Sequence, residues 1–90
     1  MAQQEQQDRL VGKITHYFGR INVGIIELSD TLRVGDTIHI KGPTTDLTQT
    51  IASMQLEHET VQEAIAGQAI GIKVDERVRE GDEVFAVESS

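Results

Sequence analysis

The pattern apolar-Arg-x-Gly-Asp-x-apolar occurs twice in this chain, as Leu32 to Ile38 and as Val78 to Val84. Glycine tolerates positive φ at no steric cost, and the aspartate beside it can bond a neighbouring backbone amide, so each copy reads as a tight turn. Each turn feeds a strand. Thr37 to Lys41 alternates polar and apolar, which sets Ile38 and Ile40 on one face, and Glu83 to Val87 follows the second copy. Strands launched from compact turns constrain the chain to a β-rich fold with short connections.

Composition agrees. The apolar share is carried by ten Ile and eight Val against five Leu, with eight Thr beside them, and Tyr17, Phe18 and Phe85 are the aromatics. Ninety residues fit one domain. A chain of that length buries only about 60 to 65% of its unfolded surface, so the core must be economical. There is no cysteine, which excludes a disulfide framework, a thiolate nucleophile and a Cys-based zinc site. No apolar run approaches a membrane span, residues 1–7 are too polar for a signal peptide, and a cytoplasmic setting is expected.

Taken in order, residues 1–8 lack apolar periodicity and are expected to form a mobile tail, with one β-domain over 9–88. In a first strand from Leu10 to Phe18, Val11 and Ile14 differ in parity, so a bulge near Gly12 is needed to turn both inward. Gly19-Arg20 makes a turn into a second strand, Ile21 to Leu28, apolar on both faces near Ile25-Ile26. Gly42 to Asp46 is a loop around Pro43. Leu47 to His58 reads as a long strand with a bend around Ala52-Ser53, where the apolar parity of Ile51, Met54 and Leu56 switches. Thr60 to Glu63 matches a helix capping box, and Gly67 stands where a glycine would end one or two helical turns. Ala69 to Val74 aligns Ile70, Ile72 and Val74. The sum is six strands and one short helical turn, with Ile38, Ile40, Ile51, Ile70, Ile72 and Val74 in the core. A small closed β-barrel satisfies that pattern, because closure removes exposed sheet edges; a small sandwich is the alternative.

The run from Val11 to Val87 carries a resemblance: its Gly19-Arg20 turn, Val34-Gly35-Asp36-x-Ile38, Ile51-x-x-Met54-x-Leu56 and Ala66-Gly67-x-x-Ile70-x-Ile72. It resembles the second domain of translation elongation factor Tu, which implies a closed six-stranded barrel that in the full factor sits beside a GTPase domain and helps hold aminoacyl-tRNA. It is also similar to the C-terminal barrel of collagenase-like peptidases, and Ile14 to Phe18 with Ser53-Met54-Gln55 looks closer to that branch. Gly19-Arg20 is followed by Ile21 rather than a small residue, and its spacing to Gly35 departs from the tRNA-holding pattern. The fold is therefore carried over and no tRNA-binding residue is.

Residue chemistry argues against catalysis. Gly19 to Gly24 has phosphate-loop glycine spacing, but Ile25-Ile26 occupies the positions where Lys and Ser/Thr must contact phosphate and magnesium. His16, His39 and His58 share no i, i+2 or i, i+4 spacing, so outward-facing strand histidines are expected rather than a metal site. No nucleophile-elbow motif supports Ser29 or Ser53, and Glu57 and Glu59 read as an exposed pair on one strand face. Neither an enzyme nor a cofactor is expected.

The net charge of −7 opposes broad nucleic-acid binding, and Lys73, Arg77 and Arg79 are interleaved with Asp75, Glu76, Glu80 and Asp82. The partner-binding candidates are His16, Tyr17, Phe18 and Arg20, where two aromatics and a cation meet at a strand end and alternation forces one ring outward. Two functions follow. One is a stand-alone binding module of the translation-factor type for a protein or a structured RNA. The other is an accessory domain serving a separate peptidase or RNA-modifying catalytic subunit.

Overall fold

The computed structural model describes residues 7–88. Ten strands run through them: β1 (Gln7–Phe18), β2 (Val23–Leu28), β3 (Leu32–Arg33), β4 (Thr37–Lys41), β5 (Asp46–Thr50), β6 (Met54–Leu56), β7 (Glu59–Val61), β8 (Glu63–Ala64), β9 (Ala69–Lys73) and β10 (Glu83–Glu88). Eight form one sheet in the order β5-β4-β10-β1-β2-β9-β6-β7, and β3 pairs with β8 in a second. The 12-residue β1 is the spine, pairing with β10 through its first half and with β2 through its second. Its register shifts between Leu10 and Gly12, the bulge expected there, and again between Ile14 and His16.

The Gly-Asp turns behave alike. In both, the Asp side chain accepts the amide of the residue three before it: Arg33 N–H to Asp36 Oδ2 at 2.9 Å, and Arg79 N–H to Asp82 Oδ2 at 2.8 Å. Gly35 and Gly81 have φ of 97° and 94°. Each turn then brackets one residue of a neighbouring segment. Gly35 N–H donates to Ile51 O and Ile51 N–H to Asp36 O, while Gly81 N–H donates to Ile14 O and Ile14 N–H to Asp82 O. Ile65-Ala66-Gly67-Gln68 is a third copy: the Gln68 side chain accepts the Ile65 amide, Gly67 has φ of 92°, and Leu28 is bracketed between Gly67 N–H and Gln68 O. The three turns launch β4, β10 and β9.

That third turn replaces the expected helix. Thr60 lies in β7 opposite Gln55, and Glu63 in β8 opposite Arg33, so the capping-box residues serve strand ladders. Only Ala64 between Thr60 and Gly67 is buried, and so short a segment, with Ile65 left 54% exposed, buries too little to offset the cost of helix nucleation. The strand expected over Leu47–His58 breaks at residues 51–53, as the parity switch anticipated, and ends in the β6–β7 hairpin, so ten strands stand among the described residues where six were expected. Gln7 and Asp8 belong to β1; the rest of the expected mobile tail lies outside the described residues.

The backbone ladders do not close. β5 and β7 are the ends of the large sheet, and no pairing joins them among the described residues. A single side chain bridges β5 toward the end of β9 instead: the buried Gln49 amide donates to Lys73 O at 2.8 Å and accepts from Asp75 N–H at 2.8 Å. The fold is all-β, and the closed six-stranded barrel is not what the ladders describe.

Inside the curl, Val11, Ile14, Ile26, Leu32, Ile38, Ile40, Met54 and Val84 are fully enclosed. All six residues expected in the core are at most 3% exposed. Asp82 is buried too, with its carboxylate where a Cβ on Gly42 would stand, so glycine is required there by close approach.

Candidate functional site

The bulge between Ile14 and His16 decides which aromatic faces outward. Ile14 pairs with Ile26 and His16 with Ile25, so Thr15 is the extra residue and parity reverses after it. Tyr17, opposite Gly24, turns inward and packs against the core, with its hydroxyl 3.4 Å from Asn22 Oδ1. Phe18 turns outward, 44% exposed, and His16 lies beside it with ring centroids 5.3 Å apart. His16 Nδ1 also lies 3.6 Å from Glu80 Oε2.

Phe18 borders an outer-face groove of about 340 Å³ across β1, β2, β9 and β6, lined by Phe18, Ile21, Val23, Ile25, Gln55, Glu57, His58, Ala69 and Gly71. Ile25 pairs with Gly71, whose missing side chain leaves a floor between Val23 and Ile25. One rim is the β1–β2 loop, where Ile21 is 58% exposed. The other is the two-residue turn Glu57-His58, with φ of 52° and 70°. Both residues adopt the left-handed conformation that two-residue hairpins require, at about 1–3 kcal/mol each for non-glycine residues. The turn also separates Glu57 from Glu59, which therefore do not share a strand face as expected.

Of the four partner-binding residues expected from sequence, the structure brings Phe18 to the groove with His16 against it, whereas Tyr17 points to the other face and the exposed Arg20 sits on the loop outside the lining. Ile21, Val23, Ile25, His58 and Gly71 were not anticipated. Their signal was the two-faced apolar run Ile21–Leu28, which reads as double burial; Ile26 and Leu28 are buried, while the alternate residues Val23 and Ile25 line the groove.

Elsewhere, His39 lies between two carboxylates, 2.5 Å from Asp46 Oδ1 and 3.7 Å from Asp8 Oδ2, tying β4 to β5 and β1. No group of three or more His, Cys, Asp or Glu among the described residues is placed to hold a metal. No helix among them is long and apolar enough to cross a membrane.

In solved structures the same fold occurs in the C-terminal domain of a Geobacillus thermoleovorans protein described as a U32 peptidase, with a TM-score of 0.82 at 18% identity, covering 87% of this chain and 91% of that one. The selenomethionine variant of that domain gives 0.81 at 19% identity, covering 84% and 96%. The fold is that of a U32 peptidase C-terminal domain. Two relatives with the closer sequence similarity are also peptidases by name. An uncharacterised protease of Methanocaldococcus jannaschii is 36% identical over 81 residues, or 89% of this chain and 20% of that protein. A collagenase of Porphyromonas gingivalis is 40% identical over 82 residues, or 89% and 23%. The chain thus spans about a fifth of the length of these curated relatives. No family model matches it. These relatives support the peptidase branch of the resemblance and lend none to the elongation-factor branch.

Proposed function

We propose that this chain is a non-catalytic accessory domain that works with the catalytic part of a U32-type peptidase, docking on it through the groove beside Phe18. The observation that carries this reading is the joint one of fold and length: the chain matches a C-terminal peptidase domain along almost all of that domain, and about a fifth of whole peptidases. In those proteins the remaining four-fifths accompany such a unit. The groove gives it a means of attachment. Phe18 and Ile21 are large apolar side chains left half in water, and covering the remaining half of each contributes about 0.7–1.5 kcal/mol. The glycine-floored centre and the rigid two-residue turn at the rim keep the groove formed before a partner arrives, which lowers the ordering cost of association.

A structured RNA fits less well. The net charge of −7 repels a polyanion over the whole surface, and the groove lining offers an aromatic and aliphatic floor rather than cations.

The test uses the Porphyromonas gingivalis collagenase with the segment matching this chain deleted. Calorimetric titration with the purified chain is expected to give a Kd of about 10 μM or tighter. Absence of heat of binding at about millimolar chain contradicts the proposal.

A further inference from the structure

The segment Asp75 to Glu80, between β9 and β10, alternates charge in a way that reads as a solvated surface. Its conformation is more specific. Val78 is 1% exposed and sits in the core, so the flanking Arg77 and Arg79 are both left on the solvent side. Together with Tyr17, Val78 and Glu80 they line a shallow pocket of about 430 Å³ that shares no residue with the groove beside Phe18.

The charges nearby are unequally committed. Elsewhere, Arg9 is bonded to Asp30 and Arg33 to Glu63. Beside the pocket, the buried Asp82 spends Oδ2 on the Arg79 backbone amide, and Glu80 leans toward His16. The backbone of Asp75 is held by the Gln49 amide, and neither Asp75 nor Glu76 lines the pocket. The guanidinium groups of Arg77 and Arg79 have no hydrogen-bond or ion-pair partner among the described residues.

Two guanidinium groups with their donors uncommitted, next to a tyrosine ring packed against the core, offer an anion both charge and an apolar wall. The planar N–H fork of arginine matches the two oxygens of a carboxylate, and the ring supplies an apolar wall for the atoms that carry it. We propose that this pocket binds a carboxylate of an acidic peptide segment. Peptide is favoured over nucleic acid by the overall charge: a single carboxylate meets the repulsion of the −7 chain once, whereas every added phosphate of an RNA meets it again. The site is independent of the docking groove and is tested on the chain alone.

The probe is a fluorescein-labelled peptide Gly-Ser-Glu-Gly-Glu-Ser-Gly, compared by anisotropy with its Gln counterpart and with an eight-nucleotide oligouridylate. The acidic peptide is expected to bind at least about tenfold more tightly than either, and to weaken as sodium chloride rises from about 50 to about 300 mM. The double variant R77Q/R79Q is expected to lose at least about tenfold in affinity, while R33Q, at a cation already paired with Glu63, changes it less than about twofold. Both pocket arginines are exposed, so an unchanged thermal midpoint is expected and separates lost binding from lost folding. Equal affinity for the Glu and Gln peptides, tighter binding of the oligouridylate, unchanged binding by R77Q/R79Q, or no binding of the acidic peptide at about millimolar concentration would each overturn the proposal.

Discussion

Gly81 gives its amide proton to the carbonyl of Ile14 at 2.7 Å, and Ile14 returns its own amide proton to the carbonyl of Asp82 at 2.7 Å. That reciprocal bracket fixes β1 at its second bulge against the turn that launches β10. It recurs at Gly35 with Ile51 and at Gly67 with Leu28. The conformation requires positive φ at the glycine, and a Cβ there would meet nothing within 4 Å. The cost of a side chain is therefore conformational and not a clash. Gly35→Ala, Gly67→Ala and Gly81→Ala are each expected to destabilise the chain by about 1–3 kcal/mol, with Asn milder at the same sites. Urea unfolding measures it, and unchanged midpoints would show that the turns tolerate ordinary geometry.

The core prediction rests on Ile51 and Ile72, 1% and 2% exposed. Ile51→Ala and Ile72→Ala are expected to cost about 2–5 kcal/mol each, through lost burial plus the cavity left behind. Unfolding free energies within error of wild type would contradict the packing described.

Gln49 makes a different demand, because its amide both donates and accepts. Gln49→Leu keeps similar bulk but leaves Lys73 O and Asp75 N–H without their partner, at a cost of about 1–3 kcal/mol. Gln49→Glu still accepts from Asp75 but turns a carboxylate toward the Lys73 carbonyl, and is expected to be the worse of the two at neutral pH. A Glu variant as stable as wild type would remove the bridge from the account.

Acid sensitivity has a local source at Asp30. The Thr31 amide bonded to Oδ1, then the Arg9 guanidinium on Oδ2, hold its carboxyl below the usual value of 3.8. A depressed folded-state pKa contributes stability above that usual value, and the contribution is lost as pH falls through the lower, folded-state value. Asp30→Asn is therefore expected to narrow the stability difference between neutral and strongly acidic solution. The effect is small, since both partners are solvent-exposed. Urea midpoints measured across that range should show the variant's curve flattening; a curve parallel to wild type would contradict the assignment.

Much of the fold was legible because turn chemistry and apolar parity are local signals. Gly35-Asp36 and Gly81-Asp82 announced their turns, and the parity of Ile38, Ile40, Ile70 and Ile72 gave the core face. The helix at Thr60–Gly67 was misread because a capping box and a terminal glycine suit a glycine turn equally well, and the ladders that decide between them come from Gln55, Arg33 and Leu28, distant in sequence. The site was half legible. Sequence placed an aromatic on the surface at Tyr17-Phe18, but which one depends on a one-residue bulge at Thr15 that no residue type marks. The two-faced apolar run near Ile25-Ile26 did not point to a groove, because an apolar residue facing a groove and one facing the interior carry the same sequence signature.

In the proposed function, the groove beside Phe18 receives the catalytic part of a peptidase. Phe18→Ser and Ile21→Ser alter half-exposed side chains outside the core, so each is expected to lower the thermal midpoint only slightly and leave the chain folded. In calorimetric titration against the collagenase lacking its matching segment, each is expected to weaken binding by at least about 1 kcal/mol, whereas Arg77→Gln, outside the groove, leaves it unchanged. Wild-type affinity in both serine variants, with their folds intact, would contradict the claim.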